Sequence, residues 1–337
     1  MSDELIRVRL DTLSPKEPIF RQTPNSSGIW GKYQFFVNSD IQDYHFWVLY
    51  EAPAEVAHGH CNRDNVIYVT VEPPALRQYA DEFLAQFATV ITCHRTVKHP
   101  DVRFIQQAIP WYFGSWHQMK TPPPRAPITY EEFKTIDPPK SKCLSAVSSN
   151  LNRTKGHWAR LQFVQELKNR LGDRVDIYGR GIRDFGDKSE PIADYKYHIA
   201  IENSQIPDYW TEKLADPFLG NAFPFYFGCP NIHQYFPAGS YQLIDIHDLA
   251  KSIDIIEKSI AANTWENSQP LLKQARELLL DRYNLFALLA GVMDTKRPCG
   301  PKQPIEIRPR VSYESSSMLL KRRISKLMPT WLRRRLR

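Results

Sequence analysis

Apolar residues fall into short runs separated by polar, proline-marked breaks, a spacing that suits strands and helices alternating in layers. VIYVTV (66–71) is a β-branched run fit for a buried strand, Leu76 to Phe87 has helical spacing, and TVIT (89–92) returns as a strand. Further along, CLSAVSS (143–149) reads as a strand, His157 to Arg170 as an amphipathic helix, and RVDIY (174–178) and YHIAI (197–201) as strands. A helix from about Thr211 follows, then strands at FPFYF (223–227) and YQLIDI (241–246), then helical segments across 247–293. Helices recurring between apolar strands predict parallel sheets covered on both faces, an α/β fold.

The densest proline stretch, TPPPRAPITYEEFKTIDPPK (121–140), can neither continue a helix nor pair within a sheet, and reads as an interdomain connector. The expected division is a domain over 1–125, a linker over 126–140, a second domain over 141–300 and a tail over 301–337. Two such units would place a ligand cleft between them, outside the carboxyl ends of their strands.

Composition bounds the function. With 337 residues, 42% apolar and 12% aromatic, two real cores can form, which excludes a disordered or fibrous chain. The formal charge of +7 suggests a polyanionic partner until its position is read. Lys321, Arg322, Arg323, Lys326, Arg333, Arg334, Arg335 and Arg337 lie in the last segment with no acid from 315 onward, so the body is nearly neutral. The N-terminus MSDELIRVRL lacks the pattern of an export signal, and no run approaches the ~18 apolar residues that span a bilayer. Five scattered cysteines without a CxxC pair argue against a disulfide framework and for a reducing cytoplasm.

Chemistry concentrates in YHIAIENSQIPDYWTEKLADPFLGNAFPFYFGCP (197–230). A buried strand ends in Glu202, Asn203 and Ser204, turns at Pro207 and Asp208, and starts a helix at Thr211, Glu212 and Lys213. A strand feeding a helix N-terminus offers free N–H groups and a positive dipole end, a seat for a diphosphate, and Lys213 adds a cation. On pattern alone, Thr211 reads equally as a structural N-cap and Glu212 and Lys213 as a solvated first turn.

The string resembles the donor-binding signature of the α1,3/4-fucosyltransferase family, glycosyltransferase family 10, in its bacterial form. The residues that carry the resemblance are Ile199 to Ser204, Tyr209 to Leu214, and Pro224 to Gly228. Upstream, 148–181 resembles the family's strand, Arg-led helix and strand ending in Tyr-Gly. The family has a GT-B architecture, two Rossmann-like domains with parallel sheets facing across a cleft. Carried over residue by residue, the resemblance implies that Arg160 and Lys213 hold the donor's phosphates and neutralise charge on departing GDP in place of a metal ion. Asn203 and Tyr209 would contact the nucleotide or its phosphates, and Glu212 the ribose or sugar hydroxyls. Neither a cofactor nor a metal is then expected. On residue statistics alone, Arg160 is a helix surface charge.

Inverting transfer to a sugar hydroxyl needs a carboxylate that takes the acceptor's proton. In the family this general base is a Glu after a buried strand of the N-terminal domain. Here VIYVTVEPP places Glu72 in that position, before two stiffening prolines. A solvated loop Glu is the plain alternative, and Glu51 and Glu55 are weaker candidates. Pro217 inside the helix from Thr211 predicts that it is kinked or short.

His58, His60, Cys61, Cys93 and His94 invite a zinc reading, but HGHC lacks a partner knuckle. Gly179-Arg180-Gly181 lacks the third glycine of a dinucleotide fingerprint and reads as a turn. From 315 to 337, Leu320, Ile324, Leu327, Met328 and Trp331 keep to one helical side and arginines to the other. That is the pattern of a helix lying on an anionic membrane surface, and the interleaved Leu and Trp disfavour both alternatives, a nucleic-acid arm and a solvated, unfolded tail.

The resemblance therefore implies transfer of L-fucose from GDP-fucose to a hydroxyl, the 3-OH of GlcNAc or Glc, on an oligosaccharide or glycolipid acceptor. The expected place is the cytoplasm, peripherally on the inner face of the membrane. The alternatives are a GT-B transferase using another nucleotide sugar, and a non-catalytic glycan-binding, membrane-associated protein.

Overall fold

A computed structural model describes residues 4–13, 18–115, 126–148 and 155–314, with the side chains of 155–157 excepted. The chain divides into two units. Unit 1 takes the described parts of 1–17, 28–107 and 288–337, and unit 2 takes 18–27 and the described parts of 108–287.

Unit 1 is built from β1 (Ile6–Thr12), β2 (Ile29–Trp30), β3 (Tyr33–Val37), β4 (Phe46–Tyr50), β5 (Ala57–Cys61), β6 (Val66–Val69), α1 (Asp81–Leu84), β7 (Thr89–Thr92) and β8 (Val102–Phe104). Its main sheet has the order β2-β3-β1-β4-β6-β7-β8, parallel except for the β2–β3 pair. The residues of β4 and β6 are buried without alternation, as expected of strands covered on both faces. Tyr68 stacks on Phe87 and meets Phe83 edge-on, closing the core under α1.

Unit 2 contains α2 (Tyr130–Thr135), β9 (Lys142–Val147), α3 (Lys155–Leu171), β10 (Val175–Tyr178), β11 (Tyr195–Ile201), α4 (Glu212–Leu219), β12 (Phe223–Phe227), β13 (Gln242–Leu243), α5 (Leu249–Ala261), α6 (Thr264–Asn267), α7 (Gln269–Asp281) and α8 (Leu285–Met293), the last of which runs into unit 1. Its sheet is parallel throughout, in the order β10-β9-β11-β12-β13. The last described strand, β14 (Gln303–Ile307), returns to unit 1 and pairs antiparallel with β5.

Five expectations are corrected. The segment 126–140 is not a free linker: Thr129 and Glu132 form a reciprocal capping box on α2, and Phe133 is fully buried in unit 2. Its prolines flank α2 rather than interrupt it. The boundaries at 125 and 300 also move, because 18–27 joins unit 2 and 288–314 joins unit 1. The first exchange is fixed by Arg21, which is buried and donates to the carbonyls of Trp111 (2.6 Å), Phe113 (3.0 Å) and Ile128 (3.1 Å). The second is fixed by the β14–β5 pairing, so 303–307 is a strand rather than part of a tail.

The helix expected over 76–87 is confined to 81–84, because Leu76 and Arg77 donate to the Pro73 carbonyl in a turn. The strand expected over 241–246 is confined to 242–243, because Asp245 folds back on Ser252 and Asp248 caps α5. The basic segment 315–337 lies outside the described residues. Among the described residues no helix is long and apolar enough to cross a membrane.

Candidate functional site

At the carboxyl end of β11 the chain leaves the sheet through Glu202, whose N–H still donates to Phe227 of β12 at 2.8 Å. The side chain turns inward and is 1% exposed. Its Oε1 accepts from the Thr211 N–H at 2.7 Å, and the Thr211 hydroxyl lies 2.9 Å from both carboxylate oxygens. Thr211 is the N-cap of α4, and its Oγ1 in turn accepts from the Lys213 N–H at 3.3 Å. One carboxylate therefore ties a strand end to a helix start. Gly228 makes room for it, since a Cβ there would collide with the Glu202 side chain and the Tyr226 ring.

The turn between them is fixed as tightly. Asp208 adopts φ 63°, and its N–H donates to Asn231 Oδ1 at 2.9 Å. Asp208 Oδ1 accepts from Asn231 Nδ2 and from the Tyr235 hydroxyl, each at 2.7 Å. Trp210 is buried with edge contacts to Tyr235, Phe236 and Tyr283.

Lys213 Nζ lies 3.1 Å from Thr211 Oγ1, 3.1 Å from Glu212 Oε1 and 3.5 Å from Glu202 Oε2. Burial pulls this ammonium down, but Glu212 and Glu202 outweigh it and hold the lysine above its ordinary range. Arg160, on the second turn of α3, is 6% exposed and donates to Asn203 Oδ1 at 2.9 Å. Burial lowers its guanidinium against the pull of Glu202 and Glu212. Burial likewise pushes the Glu202 carboxyl above the usual carboxylate range, against Lys213 and the Thr211 hydrogen bonds. The result is two cations and two anions packed where a helix N-terminus begins.

Arg160, Asn203, Glu212 and Lys213 are thus brought together in unit 2, and Tyr209, 4% exposed, sits within the same turn. Helix α4 is short, eight residues with Pro217 inside, as the sequence suggested. The sequence reading missed Lys188, a buried lysine 3.0 Å from Asp216 and 3.8 Å from Glu212. Its surroundings in the chain, GDKSE, look like a solvated turn.

Glu72 belongs to unit 1. It follows β6 at the carboxyl edge of that sheet and is half-buried, and its carbonyl accepts from His94 Nε2 at 2.7 Å. Burial holds the His94 imidazole below its ordinary range. Glu51, one of the weaker base candidates, is engaged otherwise. Its Oε2 accepts from the Val71 N–H (2.9 Å) and the Tyr79 hydroxyl (2.6 Å), and its Oε1 pairs with Arg77. Glu55 is exposed. His58 and His60 are exposed on β5, and among the described residues no group of three or more metal-ligating side chains comes together.

Comparison with known proteins places this geometry. Residues 137–262 match the model of Glycosyltransferase family 10 (fucosyltransferase) C-term. The Glu202–Thr211–Lys213 cluster, Arg160 and Lys188 all lie inside that family 10 segment. The zebrafish (Danio rerio) GDP-fucose protein O-fucosyltransferase 3 is 29% identical over 119 residues, 31% of this chain and 26% of that protein. The Helicobacter pylori α-(1,3)-fucosyltransferase is 28% identical over 82 residues, 24% of this chain and 17% of that protein. Such matches span at most about a third of those relatives' own length.

A crystal structure of an α1,3-fucosyltransferase with GDP is similar over 85% of this chain and 94% of its own, with a TM-score of 0.50 and 15% identity. That likeness shows the fold: two α/β units of the GT-B class.

The Thr211 hydroxyl meets both Glu202 carboxylate oxygens and the N–H and ammonium of Lys213, so Thr211→Val, equal in volume, should lower the stability of the folded chain by about 1–2 kcal/mol through loss of the cap and of the Glu202 partner. Chemical denaturation checks this; an unchanged midpoint would show that Glu202 and α4 are held by other means.

Proposed function

We propose that the chain is an inverting glycosyltransferase that moves L-fucose from GDP-fucose to a hydroxyl, the 3-OH of GlcNAc or Glc, of an oligosaccharide or glycolipid acceptor. What carries this reading is that the buried Glu202–Thr211 bridge sets Lys213 on the first turn of α4 while Asn203, next to Glu202, holds Arg160, all within the segment that matches family 10. The GDP-bound relative with the same fold supports a guanine nucleotide as donor.

In this reaction the acceptor oxygen attacks the anomeric carbon as the bond from that carbon to the β-phosphate oxygen breaks. The electron pair leaves with GDP, and the acceptor proton passes to Glu72. Lys213 and Arg160 neutralise the charge that grows on the leaving diphosphate, a task for fixed cations in a partly desolvated site. Asn203 and Tyr209 contact the nucleotide or its phosphates, and Glu212 the ribose or sugar hydroxyls. With two cations in that role, no divalent metal is required. The Pro73-Pro74 turn and the His94 bond hold the Glu72 backbone, and an ionised Glu72 is the proton acceptor.

The decisive comparison pairs Lys213→Ala with Glu72→Gln, assayed with EDTA present. Lys213→Ala should weaken GDP binding and slow turnover, with about 2–4 kcal/mol lost from the transition state. Glu72→Gln should lower kcat by roughly 10²–10⁴-fold with GDP affinity unchanged. A Lys213→Ala chain that binds and turns over normally contradicts the donor assignment. A Glu72→Gln chain with near-normal rate moves the base elsewhere, and activity that appears only on adding Mn²⁺ refutes metal independence.

The pattern of 315–337 supports peripheral attachment to the cytoplasmic face of an anionic membrane, where a glycolipid acceptor resides. A chain lacking these residues should lose binding to vesicles containing phosphatidylglycerol and keep its rate on a soluble acceptor. Equal vesicle binding with and without the segment defeats the membrane proposal.

A further inference from the structure

Lys188 is a buried cation to which the reaction scheme above gives no part. Its side chain is 7% exposed, and its Nζ lies 3.0 Å from Asp216 Oδ2 and 3.8 Å from Glu212 Oε1. Asp216 is fully buried in α4, and its other oxygen accepts from the N–H groups of Tyr112 (2.9 Å) and Phe113 (3.0 Å). Burial pushes the Asp216 carboxyl above its ordinary range, while Lys188 pulls it back.

The turn bearing Lys188 is rigid. Glu190 Oε1 accepts from Gly186 and Asp187 N–H groups, both at 3.0 Å, and Asp187 Oδ1 accepts from Ser189 N–H at 2.7 Å. Lys188 is therefore presented to α4 from a fixed backbone, with little freedom to turn away.

Lys213 reaches the same Glu212 oxygen at the shorter distance of 3.1 Å. Two ammonium groups thus share one carboxylate oxygen. The pull of Lys188 on that oxygen opposes the pull of Lys213, so Glu212 is held less tightly on the Lys213 ammonium than it would be without Lys188.

We propose that Lys188 is a positioning residue of the donor site, opposing the hold of Lys213 on the Glu212 carboxylate so that the Lys213 ammonium is freed for a nucleoside diphosphate. Lys188 can play this part only where Lys213 meets a diphosphate, as proposed above. Without Lys188, Glu212 pairs wholly with Lys213, and the diphosphate meets a neutralised cation. Asp216 anchors the arrangement by fixing the far side of Lys188.

The test is calorimetric titration with GDP, with thermal melting alongside, on full chains carrying Lys188→Arg, Lys188→Met, and Lys188→Met with Asp216→Asn. Lys188→Met alone leaves Asp216 buried without its cation and loses stability for that reason. The paired substitution removes both charges and should melt close to the wild type. It should nonetheless bind GDP at least about tenfold more weakly, while Lys188→Arg stays within about threefold.

In a Glu212→Gln background the same paired substitution should change GDP affinity less than about threefold, because the effect passes through Glu212. Wild-type GDP affinity in the paired variant overturns the proposal, since Lys188 then serves Asp216 alone. An equal loss in the Glu212→Gln background overturns it as well. A wild-type chain that does not bind GDP overturns the donor reading itself, a separate result because it is read on the unsubstituted protein.

Discussion

The bond between the Glu202 carboxylate and Thr211 is the contact on which the candidate site of unit 2 depends. A carboxylate with 1% of its surface exposed is costly to bury unless its lone pairs are met, and here Thr211 meets them through N–H and hydroxyl. The same contact fixes where α4 starts, and with it where its first-turn side chains project. Lys213 has its position because Thr211 caps the helix, and Thr211 has its orientation because Glu202 holds it. Gly228 belongs to this constraint too, since only the absence of a Cβ lets the β12 end pass so close to Glu202.

Unit 1 uses the same device on its own sheet. Glu51, at φ 54°, directs its carboxylate to the Val71 N–H, Tyr79 and Arg77, so the chain after β6 is fixed where it leaves the sheet. His94 fixes the next peptide by its bond to the Glu72 carbonyl. Two carboxylates close in the sequence pattern therefore have different work. Glu51 organises the backbone that leads to Glu72.

The strand-turn-helix unit around Glu202, Thr211 and Lys213 was legible in the sequence because its parts are close along the chain, where local periodicity and capping chemistry operate, whereas a donor role for it came only from the resemblance to family 10. The strands at 66–71, 89–92, 174–178 and 223–227 were legible for the same reason, as β-branched or aromatic runs. The division into units was not. It depends on Arg21 reaching carbonyls near 111–128 and on β14 pairing with β5, contacts between distant segments that leave no periodic trace. Proline density misled at 126–140, where the prolines bracket a capped helix. Lys188 was hidden because a charged residue between Asp and Ser in a turn reads as solvated, and only the fold reveals that it lies against Asp216.

The central claim is that the cluster built on Glu202 receives the diphosphate of a guanine nucleotide. Direct titration of the unsubstituted chain with GDP and with UDP, followed by calorimetry, tests it without any acceptor or variant. GDP should bind with a Kd in the micromolar range and UDP at least about tenfold more weakly, a difference of roughly 1.4 kcal/mol. Equal affinity for the two nucleotides, or UDP preferred, would contradict a GDP-sugar donor, and no binding of either would remove the nucleotide site altogether.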